Sequence, residues 1–151
     1  MPMQKVVLVT GASSGFGRCV ARTLAARGHR VYGTSRAPAG DDGAVRMLAL
    51  DVASDDSVSR CIEALLATEG RIDVLVNNAG VVAPGTILEL EPAEWDRVMD
   101  VNLRSYFVLT QMTARAMIER KIRGSIVNMS SLNAELAIAN QVAYVSSKGG
   151  V

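Results

Sequence analysis

Residues 6–17 of this chain read VVLVTGASSGFG, and this stretch determines the first unit of the fold. Its β-branched and aliphatic start predicts a strand over residues 5–10. Glycines follow at G-x-x-x-G-x-G spacing, and apolar residues then recur at intervals of four, which predicts an amphipathic helix over residues 16–27. The residues expected on its buried face are Phe16, Val20 and Leu24. A strand that enters a helix through a glycine turn is typical of parallel α/β sheets.

Strand and helix patterns continue to alternate along the rest of the chain. Further strands are predicted over residues 30–35, 46–50, 73–76 and 125–129. Helices are predicted over residues 54–68, over 91–120 as one long helix, and from Val142 onward. Residues 37–44 are rich in Gly, Pro and Asp, so a turn is expected there instead of a crossover helix. This order predicts a parallel sheet with helices on both faces.

Composition narrows the functional classes. The 151 residues are enough for one domain with its own core, and 49% of them are apolar. A net charge of +1 without a basic stripe disfavours nucleic acid and anionic membranes as partners. The apolar run over residues 6–9 is too short for a signal peptide or a membrane span, so a cytoplasmic location is expected. Cys19 and Cys61 are expected to be buried, reduced thiols, and no metal site is predicted.

The glycine turn predicts a site for a phosphate group. Backbone N–H groups at the start of a helix, together with the helix dipole, attract an anion such as a pyrophosphate. Gly11, Gly15 and Gly17 stand where the backbone must approach the phosphate or pack closely on the sheet. The spacing differs from the commoner G-x-G-x-x-G fingerprint, and a purely structural turn is the alternative. The pattern favours a dinucleotide site.

The end of the second strand predicts which dinucleotide is preferred. Thr34 is followed by Ser35 and Arg36, and no carboxylate stands where it would bind the ribose hydroxyl of NAD. A serine hydroxyl and an arginine fork suit a phosphate, so NADP(H) is predicted over NAD(H). Two alternatives remain open. Arg36 could be a solvated loop residue, and Asp41 and Asp42 could turn inward and weaken the preference.

Three residues near the end of the chain predict proton chemistry. Tyr144 and Lys148 are four residues apart on a predicted helix, so both lie on one face. A neighbouring ammonium lowers the pKa of a phenol and makes it a usable acid–base group. Ser131 follows the fifth strand and could hold a substrate oxygen. The alternatives are a core role for Tyr144 and a loop-capping role for Ser131, with Ser130 as a competitor.

The sequence resembles the short-chain dehydrogenase/reductase family over its whole length. The resemblance rests on motifs in family order, and together they are very specific. They are Thr10-Gly11-x-x-x-Gly15-x-Gly17, Asp51 after the third strand, Asn77-Asn78-Ala79-Gly80, Asn102 within Val101-Asn102-Leu103, Ser131, and Tyr144-x-x-x-Lys148. The resemblance implies a three-layer, Rossmann-type, doubly wound parallel sheet with strand order 3-2-1-4-5. It also implies one NAD(P)-binding domain over residues 1–151.

The family's reaction is reversible hydride transfer between a nicotinamide and a carbonyl or secondary alcohol. By resemblance, Tyr144 would donate the proton and Ser131 would orient the substrate oxygen. Lys148 would bind the nicotinamide ribose and tune Tyr144, and Asn102 would hold a water in a proton relay. The implied cofactor-binding residues are Gly11, Ser13, Ser14, Gly15, Phe16, Gly17, Ser35, Arg36, Asp51, Val52, Asn78, Ala79, Gly80, Tyr144 and Lys148.

The chain departs from the family pattern after Lys148. The rest of the active-site helix, the C-terminal strands and the substrate lid of the family are not in this sequence, so a truncated form is expected. The implied partner is a small carbonyl or alcohol of unidentified structure, and full-length relatives are homo-oligomers. The alternative to an enzyme is a non-catalytic NADP(H)-binding fragment or pseudoenzyme.

Overall fold

The computed structural model describes residues 4–151, and a five-stranded sheet organises them. The strands are β1 (Val6–Val9), β2 (Arg30–Ser35), β3 (Val45–Ala49), β4 (Val74–Asn77) and β5 (Ser125–Asn128). They lie in the order β3-β2-β1-β4-β5, and every neighbouring pair is parallel. The predicted strand order and the Rossmann-type architecture are therefore confirmed.

Within residues 4–151, five α-helices connect and cover the strands. They are α1 (Gly15–Ala26), α2 (Asp55–Glu69), α3 (Pro92–Met99), α4 (Ser105–Glu119) and α5 (Val142–Gly149). A 3₁₀ turn, Leu132–Ala134, precedes α5. Between β2 and β3 the chain makes only turns, as the composition of residues 37–44 predicts. Among residues 4–151, no helix has the length and apolar character needed to cross a membrane.

The two faces of the sheet carry separate apolar clusters. In β1 successive side chains point to opposite faces, so Leu8 packs on one side and Val9 on the other. The Leu8 side is covered by α2 and α4, including Leu65 and Leu109. The Val9 side is covered by α1 through Ala21. Because helices cover both faces, the predicted doubly wound arrangement is confirmed.

The predicted buried face of α1 is wrong at its first position. Phe16 is 80% exposed, whereas Gly17 and Ala21 are buried. A Cβ on Gly17 would collide with the Gly11 carbonyl oxygen and the Asn78 amide, so only glycine allows the helix to begin this close to the sheet. The stripe is displaced by one residue in the first turn, and Phe16 is turned outward. Hydrophobic periodicity alone cannot detect this close approach.

Two further expectations about the helices need correction. Cys19 lies on the outer side of α1 and is exposed, whereas Cys61 is buried as predicted. Burial raises the pKa of the Cys61 thiol to about 11, which keeps it protonated at neutral pH. The single helix predicted over residues 91–120 is interrupted by a π-helical turn, Asp100–Arg104. This turn contains the fully buried Asn102 and therefore marks a site of structural importance.

Candidate active site

A cleft of about 820 Å³ opens at the carboxyl ends of β1 to β4. Loops that follow parallel strands meet at this edge, where ligands of open α/β sheets bind. Of the predicted cofactor residues, ten line the cleft: Gly11, Ser13, Ser14, Ser35, Arg36, Asp51, Val52, Asn78, Ala79 and Gly80. Gly15, Phe16 and Gly17 form the first turn of α1 beside it. The structure thus brings residues from four separate loops to one place.

The glycine loop is fixed against the end of β4. Gly11 has φ +64°, and a Cβ there would lie 2.9 Å from the Ala79 Cα. The side-chain amide of Asn78 donates to the carbonyls of Thr10 and Gly11 at 2.9 and 3.2 Å. In return, the Thr10 hydroxyl accepts from the backbone N–H groups of Asn78 and Ala79. The loop is therefore held in shape before any ligand binds.

The first turn of α1 leaves its backbone N–H groups available. The N-cap residue Ser14 makes no side-chain capping bond, and no acidic residue lies in the first turn. Helix N-termini carry a partial positive charge and N–H groups that need acceptors. Ser13 and Ser14, which immediately precede this uncapped helix start, line the cleft. The start of α1 could therefore bind a phosphate group there.

The end of β2 also presents polar groups that need a partner. The hydroxyls of Thr34 and Ser35 are buried and have no hydrogen-bond partner among residues 4–151. Arg36 is exposed at the cleft, and within the same residues it forms no ion pair. Buried hydroxyls without partners are uncommon, and a bound ligand is one explanation. These groups fit the ribose and phosphate of a dinucleotide.

Asp41 and Asp42 do not turn into the cleft. A carboxylate oxygen of Asp41 accepts a hydrogen bond from the Met47 backbone N–H at 2.8 Å. Asp42 pairs with the guanidinium groups of Arg18 and Arg22 on α1, which hold the pKa of its carboxyl well below the usual range. Both carboxylates are occupied elsewhere, so neither competes with a phosphate at Arg36.

Lys148 is buried on α5 and donates to two groups inside the protein. Its Nζ lies 2.7 Å from the Met129 carbonyl oxygen and 3.3 Å from the Tyr106 hydroxyl. Burial lowers the pKa of its ammonium group. Tyr144, one turn earlier on α5, is half-buried. A bond between Tyr144 and Lys148 is not among the side-chain hydrogen bonds of residues 4–151, whereas the bond to Tyr106 is.

Asn102 connects the π-helical turn to two other segments. Its Oδ1 accepts from the Val81 N–H at 2.8 Å, and its Nδ2 donates to the Val81 carbonyl and to the Ser147 hydroxyl. Both N–H groups are therefore used inside the protein. Only a second lone pair on Oδ1 remains for the water that the resemblance implies. This explains how a fully buried amide is tolerated on an apolar helix face.

The two serines after β5 have different hydrogen-bond roles. Ser130 donates its hydroxyl hydrogen to the Lys148 carbonyl at 2.9 Å, which ties β5 to α5. Ser131 accepts from the Asn133 N–H at 3.2 Å and caps the 3₁₀ turn. A hydroxyl has one donor and two acceptor sites, so Ser131 can cap the turn and still donate to a ligand. Capping and substrate orientation are therefore compatible at Ser131.

Gly80 lies between the residues that line the cleft and the buried side chains of Asn102 and Lys148. It lines the dinucleotide-sized cleft, and a Cβ on it would lie 3.4 Å from Asn102 Oδ1 and 3.9 Å from Lys148 Nζ. The ammonium group of Lys148 therefore lies just behind one wall of the cleft. Tyr106 was not predicted as a site residue, because its place on an apolar helical stripe is also that of a core aromatic.

Sequence comparison finds one protein family over almost the whole chain. A profile described as short chain dehydrogenase matches residues 5–151. A 3-ketodihydrosphingosine reductase of Bacteroides thetaiotaomicron is 42% identical over 148 residues, which are 97% of this chain and 54% of that protein. A D-threitol dehydrogenase of Mycolicibacterium smegmatis is 41% identical, covering 97% of this chain and 60% of that protein.

Solved structures of dehydrogenases superpose closely on this chain. The ligand-free aldohexose dehydrogenase of Thermoplasma acidophilum superposes with a TM-score of 0.91 at 38% identity, covering 97% of this chain and 56% of that one. A short-chain dehydrogenase from Streptomyces avermitilis superposes with a TM-score of 0.88 at 34% identity. The chain spans between 54% and 60% of the length of the two curated relatives described above.

Proposed function

This chain belongs to the short-chain dehydrogenase family, and we propose from that membership that it is an NADP(H)-dependent oxidoreductase of carbonyls and secondary alcohols. One observation carries the proposal. The cleft and the buried ammonium group of Lys148 lie at the same edge of the sheet, with Gly80 between them. Binding and proton transfer can therefore act on one ligand assembly.

The nicotinamide, when bound, supplies or receives the hydride. Tyr144 is the acid that gives its proton to the carbonyl oxygen during reduction and takes it back during oxidation. Lys148, one helical turn after Tyr144 on α5, stabilises the deprotonated phenol through the charge of its ammonium group. Ser131 donates its free hydroxyl hydrogen to the substrate oxygen and stabilises the charge that develops there.

The preference for NADP(H) rests on the end of β2. Arg36 would pair with the 2′-phosphate and Ser35 would donate to it, because a guanidinium fork and a hydroxyl match phosphate oxygens. Support comes from the carboxylates of Asp41 and Asp42, which bond to the Met47 N–H and to Arg18 and Arg22 and so do not compete for the phosphate. Asp51 and Val52 would lie beside the adenine, where the same cleft continues.

The proposed substrate is a small carbonyl or alcohol. The relatives' names include a ketone of a sphingoid base and a sugar alcohol, and those names describe those proteins alone. We propose that residues 1–151 act as one NAD(P)-binding domain.

A fluorescence titration of the purified chain with NADPH and NADH tests the proposal. Saturable binding with tighter affinity for NADPH is expected, and a screen of ketone and aldehyde substrates then separates turnover from binding alone. Absence of saturable binding by either nucleotide would overturn the proposal. Tighter binding of NADH would overturn the assigned preference while leaving the dinucleotide site intact.

A further inference from the structure

Tyr106 is a buried aromatic residue of α4 that lies outside every motif of the family resemblance. Its hydroxyl oxygen is 3.3 Å from Lys148 Nζ and 3.4 Å from the Met129 carbonyl oxygen. The same Nζ lies 4.9 Å from the centroid of the Tyr106 ring. One side chain thus offers the ammonium group two kinds of contact.

We propose that Tyr106 is a positioning residue for Lys148, holding its ammonium group through both the hydroxyl oxygen and the ring face. The consequence for the reaction rests on the proposed function, whereas the contact itself does not. The hydrogen bond from Lys148 Nζ to the Met129 carbonyl oxygen is the shorter of the two, at 2.7 Å. The Tyr106 hydroxyl accepts a second hydrogen of the same ammonium group and so fixes its orientation. An ammonium has three hydrogens, so one remains for a ligand or for Tyr144.

The surroundings of Lys148 explain why such a neutral partner is needed. Burial lowers the pKa of Lys148, and among residues 4–151 no carboxylate pairs with it. The charged side chains on the elements packed against α5, or next to them, are Glu94, Asp96, Arg97, Asp100, Arg104 and Glu135. Three of these already have partners, because Arg97 pairs with Glu94 and Arg104 pairs with Asp55. The ammonium charge is therefore offset by a carbonyl, a hydroxyl and an aromatic ring.

Tyr106 is suited to this role because it stays neutral. Burial and the nearby Tyr144 raise the pKa of Tyr106, so its phenol keeps its proton and its oxygen can accept from Lys148. Tyr144 is then left for the proton transfer of the proposed function. This division of roles deepens the proposed function, because it separates the tyrosine that holds Lys148 from the tyrosine that exchanges a proton.

The pKa of Lys148 itself tests this inference without any activity. The chain contains three lysines, Lys5, Lys121 and Lys148, so isotope-labelled lysine side chains give few NMR signals to assign. The signal of Lys148 is identified by its loss in Lys148→Arg. Its titration is then compared in the unchanged chain, in Tyr106→Phe, which keeps the ring, and in Tyr106→Leu, which keeps neither group.

Both contacts favour the charged amine, so removing them lowers the pKa of Lys148. We expect a downward step of about half a unit from the unchanged chain to Tyr106→Phe, and a further step of about half a unit to Tyr106→Leu. Tyr32→Phe is the matched control, since that buried tyrosine loses a hydroxyl bonded to Glu69 and Arg46 instead. Equal pKa values of Lys148 in the unchanged chain and both Tyr106 variants would overturn the inference.

A second measurement keeps the inference testable if the Tyr106 variants do not fold. In the unchanged chain, a nuclear Overhauser effect is expected between the Lys148 Cε protons and the Tyr106 ring protons, and its absence would overturn the inference. Nucleotide titration separates the two proposals. Stepwise pKa changes without dinucleotide binding would support this inference and overturn the proposed function. Dinucleotide binding without the stepwise pKa changes would overturn this inference and support the proposed function.

Discussion

The end of β2 and the region beside α5 satisfy their polar groups in opposite ways. At the end of β2, the hydroxyls of Thr34 and Ser35 are buried without partners, and Arg36 stands unpaired among residues 4–151. Beside α5, the amide of Asn102 and the ammonium of Lys148 already bond to groups of the protein. We propose that a ligand completes the polar groups at the end of β2, whereas those beside α5 already bond within the protein.

This difference follows from what each region has to do. A binding surface gains affinity when a ligand satisfies groups that the protein leaves free, because an unmade buried hydrogen bond costs free energy. An acid–base group works best when its charges are fixed before the reaction begins. Substitutions at the β2 end should therefore change binding and leave stability almost unaltered. Substitutions beside α5 should change stability or proton transfer.

The largest effect is expected from Tyr144→Phe, which removes the proposed acid and keeps the ring. Loss of a general acid typically lowers a rate by about 100- to 10,000-fold, so carbonyl reduction with NADPH should fall by that order. Affinity for NADPH should stay near that of the unchanged chain, since the β2 end is intact. Steady-state kinetics and a nucleotide titration measure the two quantities. A variant that keeps most of its reductase rate would remove Tyr144 from the mechanism.

Asn102→Leu should give the largest loss of stability. It leaves the partly buried N–H and carbonyl of Val81 without their partner and removes one of the two hydrogen bonds of the Ser147 hydroxyl. Each unsatisfied group costs on the order of 1–3 kcal/mol, so the free energy of unfolding should fall by about 3 kcal/mol. Urea unfolding followed by circular dichroism measures this change. An unchanged midpoint would mean that the region beside α5 is not organised by Asn102.

The sheet could be predicted from sequence because its signals are local and repeated. Runs such as 6–9 are buried in a central parallel strand, and the turn-rich stretch 37–44 correctly excludes a helix. Phe16 could not be placed, because its exposure depends on how closely Gly11 and Gly17 approach the end of β4. Apolar periodicity reports spacing along the chain, whereas this approach is a property of two segments that are distant in sequence.

Prediction of the candidate site from the sequence has the same limit. The pair Tyr144 and Lys148 is predictable, since a four-residue spacing places both on one helical face. The contact between Tyr106 and Lys148 is not, because these residues lie on different helices and meet only in the folded chain. On sequence alone Tyr106 looks like an ordinary core aromatic. Its contact with the buried ammonium group of Lys148 becomes evident only in the folded structure.

Arg36→Asp should change affinity and leave stability unaltered. A hydrogen bond to a charged group contributes about 1.5–3 kcal/mol, so NADPH should bind roughly 10- to 100-fold more weakly. NADH should bind as well as before or better, because a carboxylate at this position suits a ribose hydroxyl. Fluorescence titrations with both nucleotides give the ratio of affinities. Arg27→Asp, at the exposed end of α1, is the matched control for a charge change. An unchanged ratio in Arg36→Asp would show that Arg36 does not recognise the phosphate.

The smallest effect, and the sharpest contrast with Asn102→Leu, is expected from Thr34→Val. This change replaces a buried hydroxyl that has no partner among residues 4–151 with a methyl group of similar size. Because no hydrogen bond is lost, the free energy of unfolding of the chain should stay the same or rise by up to about 1 kcal/mol. Urea unfolding in the absence of nucleotide measures it. A clear loss of stability would mean that the Thr34 hydroxyl already has a hydrogen-bond partner, for example an ordered water. The polar groups at the end of β2 would then be satisfied without a ligand. In that case the end of β2 and the region beside α5 would be organised alike, and NADPH would have to displace that partner in order to bind.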